Sequence, residues 1–337
     1  MLWIWYGRGC HFINGRRRVE NDKVINYCAV YNLEDYISRT LDSLLSIRFF
    51  HDYEIIVVND GSTDGSEAVI AGYQEKSDKI RLFTIENGGV SNARNVGIRH
   101  AQGQYITFMD GDDTVEPDFY EKAVAELDAG GYDFVQGNYR EVYEDRVIPC
   151  IFAERDVEIT DRKEMLERYL DQNKQLIHYG VWGKVFQADT VRQICFDRTL
   201  SVAEDQKFVF DVLCVCGRIK LLADISINYF QRGSSAYHTL SSDKIQGKLA
   251  VLAHFRQNTP YQELLWMIDY RRVFVLQELY FHLCRERDPR AKEVRREILK
   301  CPVRQLWPRL TPPARRRILL HRFAGPLYDL YFMYLKK

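Results

Sequence analysis

Tyr105-Ile-Thr-Phe-Met-Asp-Gly-Asp-Asp113 is a short apolar run that ends abruptly in three carboxylates around a glycine. A run of this kind predicts a strand buried on both faces, as in a parallel sheet covered by helices. The carboxyl end of such a strand is where open α/β sheets place ligands. Asp110 and Asp112 flank Gly111, so two hard oxygen ligands can converge on one side of a turn. That donor set suits Mg²⁺ or Mn²⁺ carrying phosphate oxygens, because both ions prefer carboxylate and water to imidazole or thiolate. Acidic turns are also common in their own right, so the meaning of this one depends on what surrounds it.

The surroundings alternate. Residues 24–31 read as a strand, and Ile37, Leu41, Leu44 and Leu45 mark one face of a helix over 34–47. A second buried strand follows at 53–59, then a helix to about residue 76 that Asp64 or Ser66 can cap. Strand 80–85, helix 91–101, strand 105–109 and helix 118–129 continue the pattern, with a further strand at 132–137. Strands separated by helices of this length predict parallel βαβ crossovers and an α/β, doubly wound, mostly parallel sheet with helices on both faces. From about 139 to 238 the alternation gives way to a mixed region, and beyond 240 the pattern is helical and increasingly basic. The expected organisation is therefore a flexible leader at 1–22, a sheet domain at 23–239 and a helical, basic C-terminal region at 240–337.

Each strand of the first half ends in a polar turn. Val30-Tyr-Asn32 follows the first, Asn59-Asp-Gly-Ser-Thr-Asp-Gly65 the second, and Glu86-Asn-Gly-Gly-Val-Ser-Asn-Ala-Arg-Asn95 the third. Val30, Asn32, Asn87, Gly88 and Gly111 are therefore candidate wall residues of a ligand crevice. Gly88 and Gly89 permit close backbone approach, and Ser91 is a natural N-cap. Arg94 would sit in the first turn of its helix, where a cation is favoured only beside an anion. The carboxylate of Asp60 can accept a pyrimidine N–H, whereas Asp64 reads as a residue that shapes its turn. No G-x-G-x-x-G follows the first strand and no G-x-x-x-x-G-K-[ST] occurs, which argues against dinucleotide and P-loop folds.

Composition narrows the classes further. In 337 residues, 47 Lys and Arg balance 47 Asp and Glu. The balance conceals polarity: from Arg285 to Lys337 there are 15 basic against 5 acidic residues. That excess suggests an anionic surface as partner. The 8 cysteines show no C-x-x-C pair, and reduced, cytoplasmic thiols are the expectation. No run reaches the roughly 18 apolar residues of a membrane span.

Ala29-Val-Tyr-Asn32, Val58-Asn-Asp-Gly-Ser-Thr-Asp64, Glu86 to Asn95 and Gly103 to Asp113 together resemble the family 2 glycosyltransferases of the GT-A fold. Trp182-Gly-Lys184 and Ala203-Glu-Asp-Gln206 match the acceptor-side motif of the same family, so the resemblance runs from about 24 to 238. It implies an inverting, metal-dependent transfer of sugar from a nucleotide-diphosphate sugar, a UDP-sugar above all, to a hydroxyl of a glycan or lipid-linked acceptor. By motif match, Asp60 would meet the base, Arg94 the nucleotide or its phosphates, Asp110 the ribose and metal, and Asp112 the metal, Mn²⁺ or Mg²⁺. Asp205 would be the general base. The proline usual before Val-Tyr-Asn is Ala29 here, which loosens the loop without removing side-chain chemistry.

The downstream residues admit plainer readings as well. Glu204 and Asp205 could form an ordinary acidic first turn favoured by the helix dipole, with Glu204 supporting Asp205. Trp182 reads equally as a platform for a sugar face or as core filling, with Lys184 beside it on the acceptor wall. Arg232 to His238 resembles the loop that closes over the diphosphate in this family, with His238 as a phosphate or metal contact. In the tail, Arg315-Arg-Arg317, Lys336 and Lys337 interleave with Leu, Tyr and Phe, which suits the headgroups of an anionic bilayer, at the cytoplasmic face of the plasma membrane. A helix packed on its own domain or on a second subunit fits the same residues. Nucleic acid fits the charge and nothing else. Two other classes stay in view: a sugar-phosphate nucleotidyltransferase, which would carry a Gly-rich basic loop after its first strand, and a non-catalytic nucleotide-sugar-binding scaffold.

Overall fold

A computed structural model describes residues 22–48, 52–172, 174–231, 241–302, 306–310 and 312–323. The leader expected at 1–22 falls outside these residues except for Asp22, which opens the first strand. The first half alternates as β1 (Asp22–Val30), α1 (Ile37–Leu45), β2 (Asp52–Asn59), α2 (Ser66–Gln74), β3 (Ile80–Thr84), α3 (Val90–His100) and β4 (Tyr105–Asp110). The two-residue β5 (Thr114–Val115) precedes α4 (Phe119–Gly130), β6 (Phe134–Val142), β7 (Val147–Cys150), β8 (Val157–Ile159) and α5 (Arg162–Leu170). Then come β9 (Lys184–Gln187), α6 (Ala188–Val191), α7 (Glu204–Val215) and β10 (Ile219–Phe230). The described residues beyond β10 are mainly helical, with α8 (Ser242–Asn258), α9 (Leu265–Arg285), α10 (Ala291–Lys300) and α11 (Pro312–Phe323).

The strands form one 10-stranded sheet in the order β3-β2-β1-β4-β9-β6-β10-β5, with β7 on β6 and β8 on β10. Its first half is parallel as expected. The second half is mixed, because β9 is inserted antiparallel to both β4 and β6. A four-residue strand with a lysine at its start carries too little pattern to announce itself in sequence.

Alternation along the central strands builds two cores. Val24, Cys28 and Val30 of β1 face α1, α2 and α4, while Tyr27 faces α3 and α7. Ile37, Leu41 and Leu44 recur one helical turn apart and are fully buried, each contributing roughly 1.5–3 kcal/mol of transfer free energy. The second core does not end with the sheet domain. Val251, Leu252 and Phe255 of α8 and Met267 and Ile268 of α9 complete the same cluster as Ile56, Phe108 and Phe208. A third cluster, from Ile245 to Ile318, joins α8 to α11. Among the described residues, no helix is long and apolar enough to cross a membrane. Six described cysteines are free thiols, whereas Cys195 is disulfide-bonded, a departure from the expectation of reduced thiols throughout.

Candidate active site

The chain leaves β1 toward β2 on one side and returns as β4 on the other, so the loops following β1 and β4 diverge. That switch point leaves a crevice beyond the strand ends. Ala29 and Asp110 are register partners at its floor. Gly111 packs directly against this floor: a Cβ there would lie 2.8 Å from Leu33 Cδ1 and 3.0 Å from the Ala29 carbonyl oxygen. The turn is pinned from two further directions. Arg39 Nη2 donates to the Asp112 carbonyl at 2.7 Å, and Thr40 Oγ1 to the Asp113 carbonyl at 2.7 Å. The Phe230 amide donates to Asp113 Oδ1 at 2.8 Å, tying the end of β10 to the same turn.

The loops after β1, β2 and β3 are stitched into one ledge. Val30 is buried, and its carbonyl accepts the Asp60 amide at 2.8 Å. Asn32, at φ 51°, occupies the left-handed region that Asn tolerates better than most residues. Its amide donates to Ser62 Oγ at 3.0 Å, and its Oδ1 accepts the Thr63 amide at 2.8 Å. Asp60 is buried, and its Oδ1 accepts the Gly88 amide at 2.8 Å, while Asn87 Nδ2 donates to the Asp60 carbonyl at 3.0 Å. Asn87 and Gly88 are exposed on the ledge. Asp64 accepts the amides of Ser66 and Glu34 and so shapes its turn, as read from the sequence.

The N-cap of α3 is Gly89, at φ 81°, and not Ser91. Ser91 lies one residue inside the helix, buried, with no partner for its hydroxyl among the described residues. Arg94, one turn on, is buried between two carboxylates. Its Nη2 donates to Asp110 Oδ1 at 3.0 Å and its Nη1 to Glu204 Oε1 at 2.7 Å. Burial alone would ease its proton off, but Asp110, Glu204 and Asp205 outweigh burial and hold the guanidinium firmly charged.

The other wall is the N-terminus of α7. Asn95 fixes the approach to it, donating from Nδ2 to the Phe196 carbonyl and accepting the Phe196 amide, both at 2.9 Å. Phe196 then stacks on Phe208 of α7 with centroids 4.0 Å apart. In sequence Asn95 is only the last residue of the polar run from Glu86 to Asn95. Two hydrogen bonds from one buried amide to a residue 101 positions away carry no local signal. Glu204 and Asp205 open α7 side by side. Burial, then the charge of Glu204, push the Asp205 carboxyl up to about 7 against the opposing pull of Arg94.

Trp182 stands in an aromatic stack, 4.7 Å from the His178 ring and 5.7 Å from Tyr229, with Tyr139 edge-on at 4.7 Å. Lys184 is fully buried and does not line an acceptor surface. Its Nζ donates to the carbonyls of Gly180 at 2.6 Å and His178 at 3.0 Å, bracing the loop that holds the tryptophan. Burial drives its pKa far below the ordinary lysine range. His238 and the loop at 232–238 lie outside the described residues.

Among the described residues, no three His, Cys, Asp or Glu side chains cluster as a self-sufficient metal site. Asp110 and Asp112 supply two carboxylates, the usual protein share when Mg²⁺ or Mn²⁺ completes its shell with phosphate oxygens and water. The donor set therefore fits an ion that arrives with a diphosphate.

Comparison with known proteins agrees with the geometry. Residues 28–181 match the model of Glycosyl transferase family 2, a segment that holds Asp60, Arg94, Asp110 and Asp112 and stops short of Trp182 and α7. The chain is 32% identical over 198 residues to the uncharacterized glycosyltransferase EpsJ of Bacillus subtilis, covering 57% of this chain and 56% of that protein. It is 31% identical over 185 residues to the glycosyltransferase GlyA of Streptococcus pneumoniae, covering 52% of this chain and 26% of that one. The chain thus spans about half or less of the length of these relatives. Its fold is similar to that of TarS from S. aureus solved with UDP-GlcNAc, at TM-score 0.60 and 20% identity over 89% of each chain.

Proposed function

We propose, since residues 28–181 match the model of Glycosyl transferase family 2, that this chain transfers a sugar from a UDP-sugar to a hydroxyl of a glycan or lipid-linked acceptor, with inversion. The observation that carries the reading is the convergence of donor-side Asp110 and acceptor-side Glu204 on one buried guanidinium, Arg94. Relatives named for teichoic acid and succinoglycan synthesis support a cell-surface polysaccharide as the product class. We assign residues 23–239 to the transferase unit and 240–337 to a second region, whose described helices α8 and α9 pack on the first.

The ledge residues Val30, Asn32, Asp60, Asn87 and Gly88 are assigned to the nucleoside, with Asp60 toward the base. Asp110 and Asp112 would hold Mn²⁺ or Mg²⁺, which when bound neutralises charge on the diphosphate. Arg94 sets the spacing between the two walls. Asp205, ionised above about pH 7, takes the proton of the acceptor hydroxyl as its oxygen bonds to the anomeric carbon. The bond from that carbon to the diphosphate oxygen breaks, and the nucleoside diphosphate leaves with the electron pair. Trp182 is assigned to the acceptor side, in a loop braced by Lys184.

A panel of UDP-sugars incubated with the protein and Mn²⁺ tests this, with UDP release and the anomeric configuration of the product as readouts. Hydrolysis or transfer that Asp205→Asn abolishes is the expected result. Binding of UDP-sugars with no turnover under any condition would favour the scaffold, and retention of configuration would remove the single-displacement mechanism.

A further inference from the structure

The family-matched segment ends at residue 181, yet the described structure brings a residue of α9 to the first turn of α7. Arg271 is only 6% exposed. Its guanidinium stacks over Tyr179 at 4.6 Å, and its Nη2 donates to Gln206 Oε1 at 3.0 Å. Gln206 is the residue after Asp205, and it is held at three points. Its side chain accepts from Arg271, its carbonyl accepts from Tyr169 Oη at 2.7 Å, and its amide donates to Asp205 Oδ1 at 2.7 Å.

Packing alone does not account for an arginine here. Arg271 Nη1 is buried with no hydrogen-bond partner among the described residues. A buried charge with an unsatisfied donor is costly, and Met or Leu beside Tyr179 and Phe255 would avoid that cost. What the arginine adds is a grip on Gln206.

We infer that Arg271 is a positioning residue for the carboxylate of Asp205, acting through Gln206, so that the helical C-terminal region completes the acceptor half of the site. The inference rests on the reading of Asp205 as the base. The chain Arg271–Gln206–Asp205 orients one carboxylate oxygen and leaves the other to the acceptor. It touches none of the donor-side residues Asp60, Asp110 or Asp112.

The test uses the full chain and the UDP-sugar hydrolysed fastest in the panel above, with water as acceptor. Arg271→Met is expected to lower kcat about 10- to 100-fold, the scale of a small misplacement of a catalytic group, and to leave the donor KM unmoved. Arg271→Lys, which keeps a donor, should recover most of the rate. Unchanged kcat in Arg271→Met beside an inactive Asp205→Asn would overturn the inference and leave the base assignment standing. A fully active Asp205→Asn would instead overturn the base assignment. If Arg271→Met loses its cooperative thermal transition, Gln206→Met decides, since it removes the side-chain amide that Arg271 grips and keeps the backbone amide that meets Asp205. The same loss of kcat supports the chain, and wild-type kcat ends it.

Discussion

Arg94 Nη1 and Glu204 Oε1 meet at 2.7 Å although 110 residues separate them in sequence. Through this contact and the second one to Asp110, the end of β4 and the start of α7 share one counter-charge. The two walls of the crevice are consequently held at a fixed separation before any substrate arrives.

Arg94→Met would leave both carboxylates facing each other across an apolar side chain. Breaking a mostly buried pair in this way costs about 3 kcal/mol or more. We expect urea unfolding to show that loss, together with abolished turnover. Glu204→Gln keeps a hydrogen-bond acceptor for Arg94 and should cost much less. Equal stability of Arg94→Met and wild type would show that the walls are held by something else.

The pH dependence follows from Asp205, whose carboxyl sits at about 7 in the fold. A base acts only when ionised, so turnover should rise with pH through an acid limb near 7. Glu204→Gln removes the neighbouring negative charge and should move that limb to lower pH. The stability effect has the opposite direction. A carboxyl raised in the folded state binds its proton more tightly there than in the unfolded chain. Its contribution is therefore fully present below the unfolded value of about 4 and is lost as pH rises to 7. A turnover profile flat from pH 5 to 8 would remove Asp205 as the titrating base.

Asp112→Asn should abolish the metal dependence of UDP binding and leave the fold intact, because the change keeps the backbone carbonyl that Arg39 grips. Isothermal titration of UDP with and without Mn²⁺ reads this directly. The same metal-independent affinity in wild type and variant would take the ion away from this turn.

The basic tail calls for point changes instead of a truncation. Ile318 of α11 is buried in the third core, and Arg315 donates to the Trp307 carbonyl at 3.0 Å, so deletion from 312 would strip packing as well as charge. Arg316, Leu319 and Leu320 are exposed. A polybasic segment gains about 1 kcal/mol per cation near an anionic surface. Arg316→Glu with Leu319→Ser and Leu320→Ser should weaken sedimentation with anionic liposomes and leave donor hydrolysis unchanged. Full-length protein that ignores such liposomes at low salt would refute membrane docking. Phe332, Leu335, Lys336 and Lys337, which belong to the same expectation, lie outside the described residues.

Much of this was readable from the sequence where the physics is local. The strands β1 to β4 announce themselves as apolar runs between helices, and their polar ends mark the crevice. Asp60, Arg94, Asp110 and Glu204 all fall beside it. What escaped depends on tertiary contact. A lysine reads as a surface residue until two carbonyls and a histidine ring surround it, as they do Lys184. Ser91 has the chemistry of a cap, but the chain turns into α3 at Gly89, where the backbone reaches φ 81°. Gly137 hid the length of β6: the strand runs through it to Val142, and the glycine fits there because a Cβ at 137 would strike Phe119 of α4 and Ser226 of β10. Nothing near Asp113 in sequence says that it fastens β10.

The sheet and the first two C-terminal helices draw on one hydrophobic cluster, in which Phe255 and Ile268 are as deeply enclosed as Phe108 and Phe208. Exchanging these helices between related chains therefore amounts to redesigning the inner surface of the sheet half. A chimera joined near residue 240 would need compensating changes in α5 and α7, and its amide protons there would report the mismatch before its activity did.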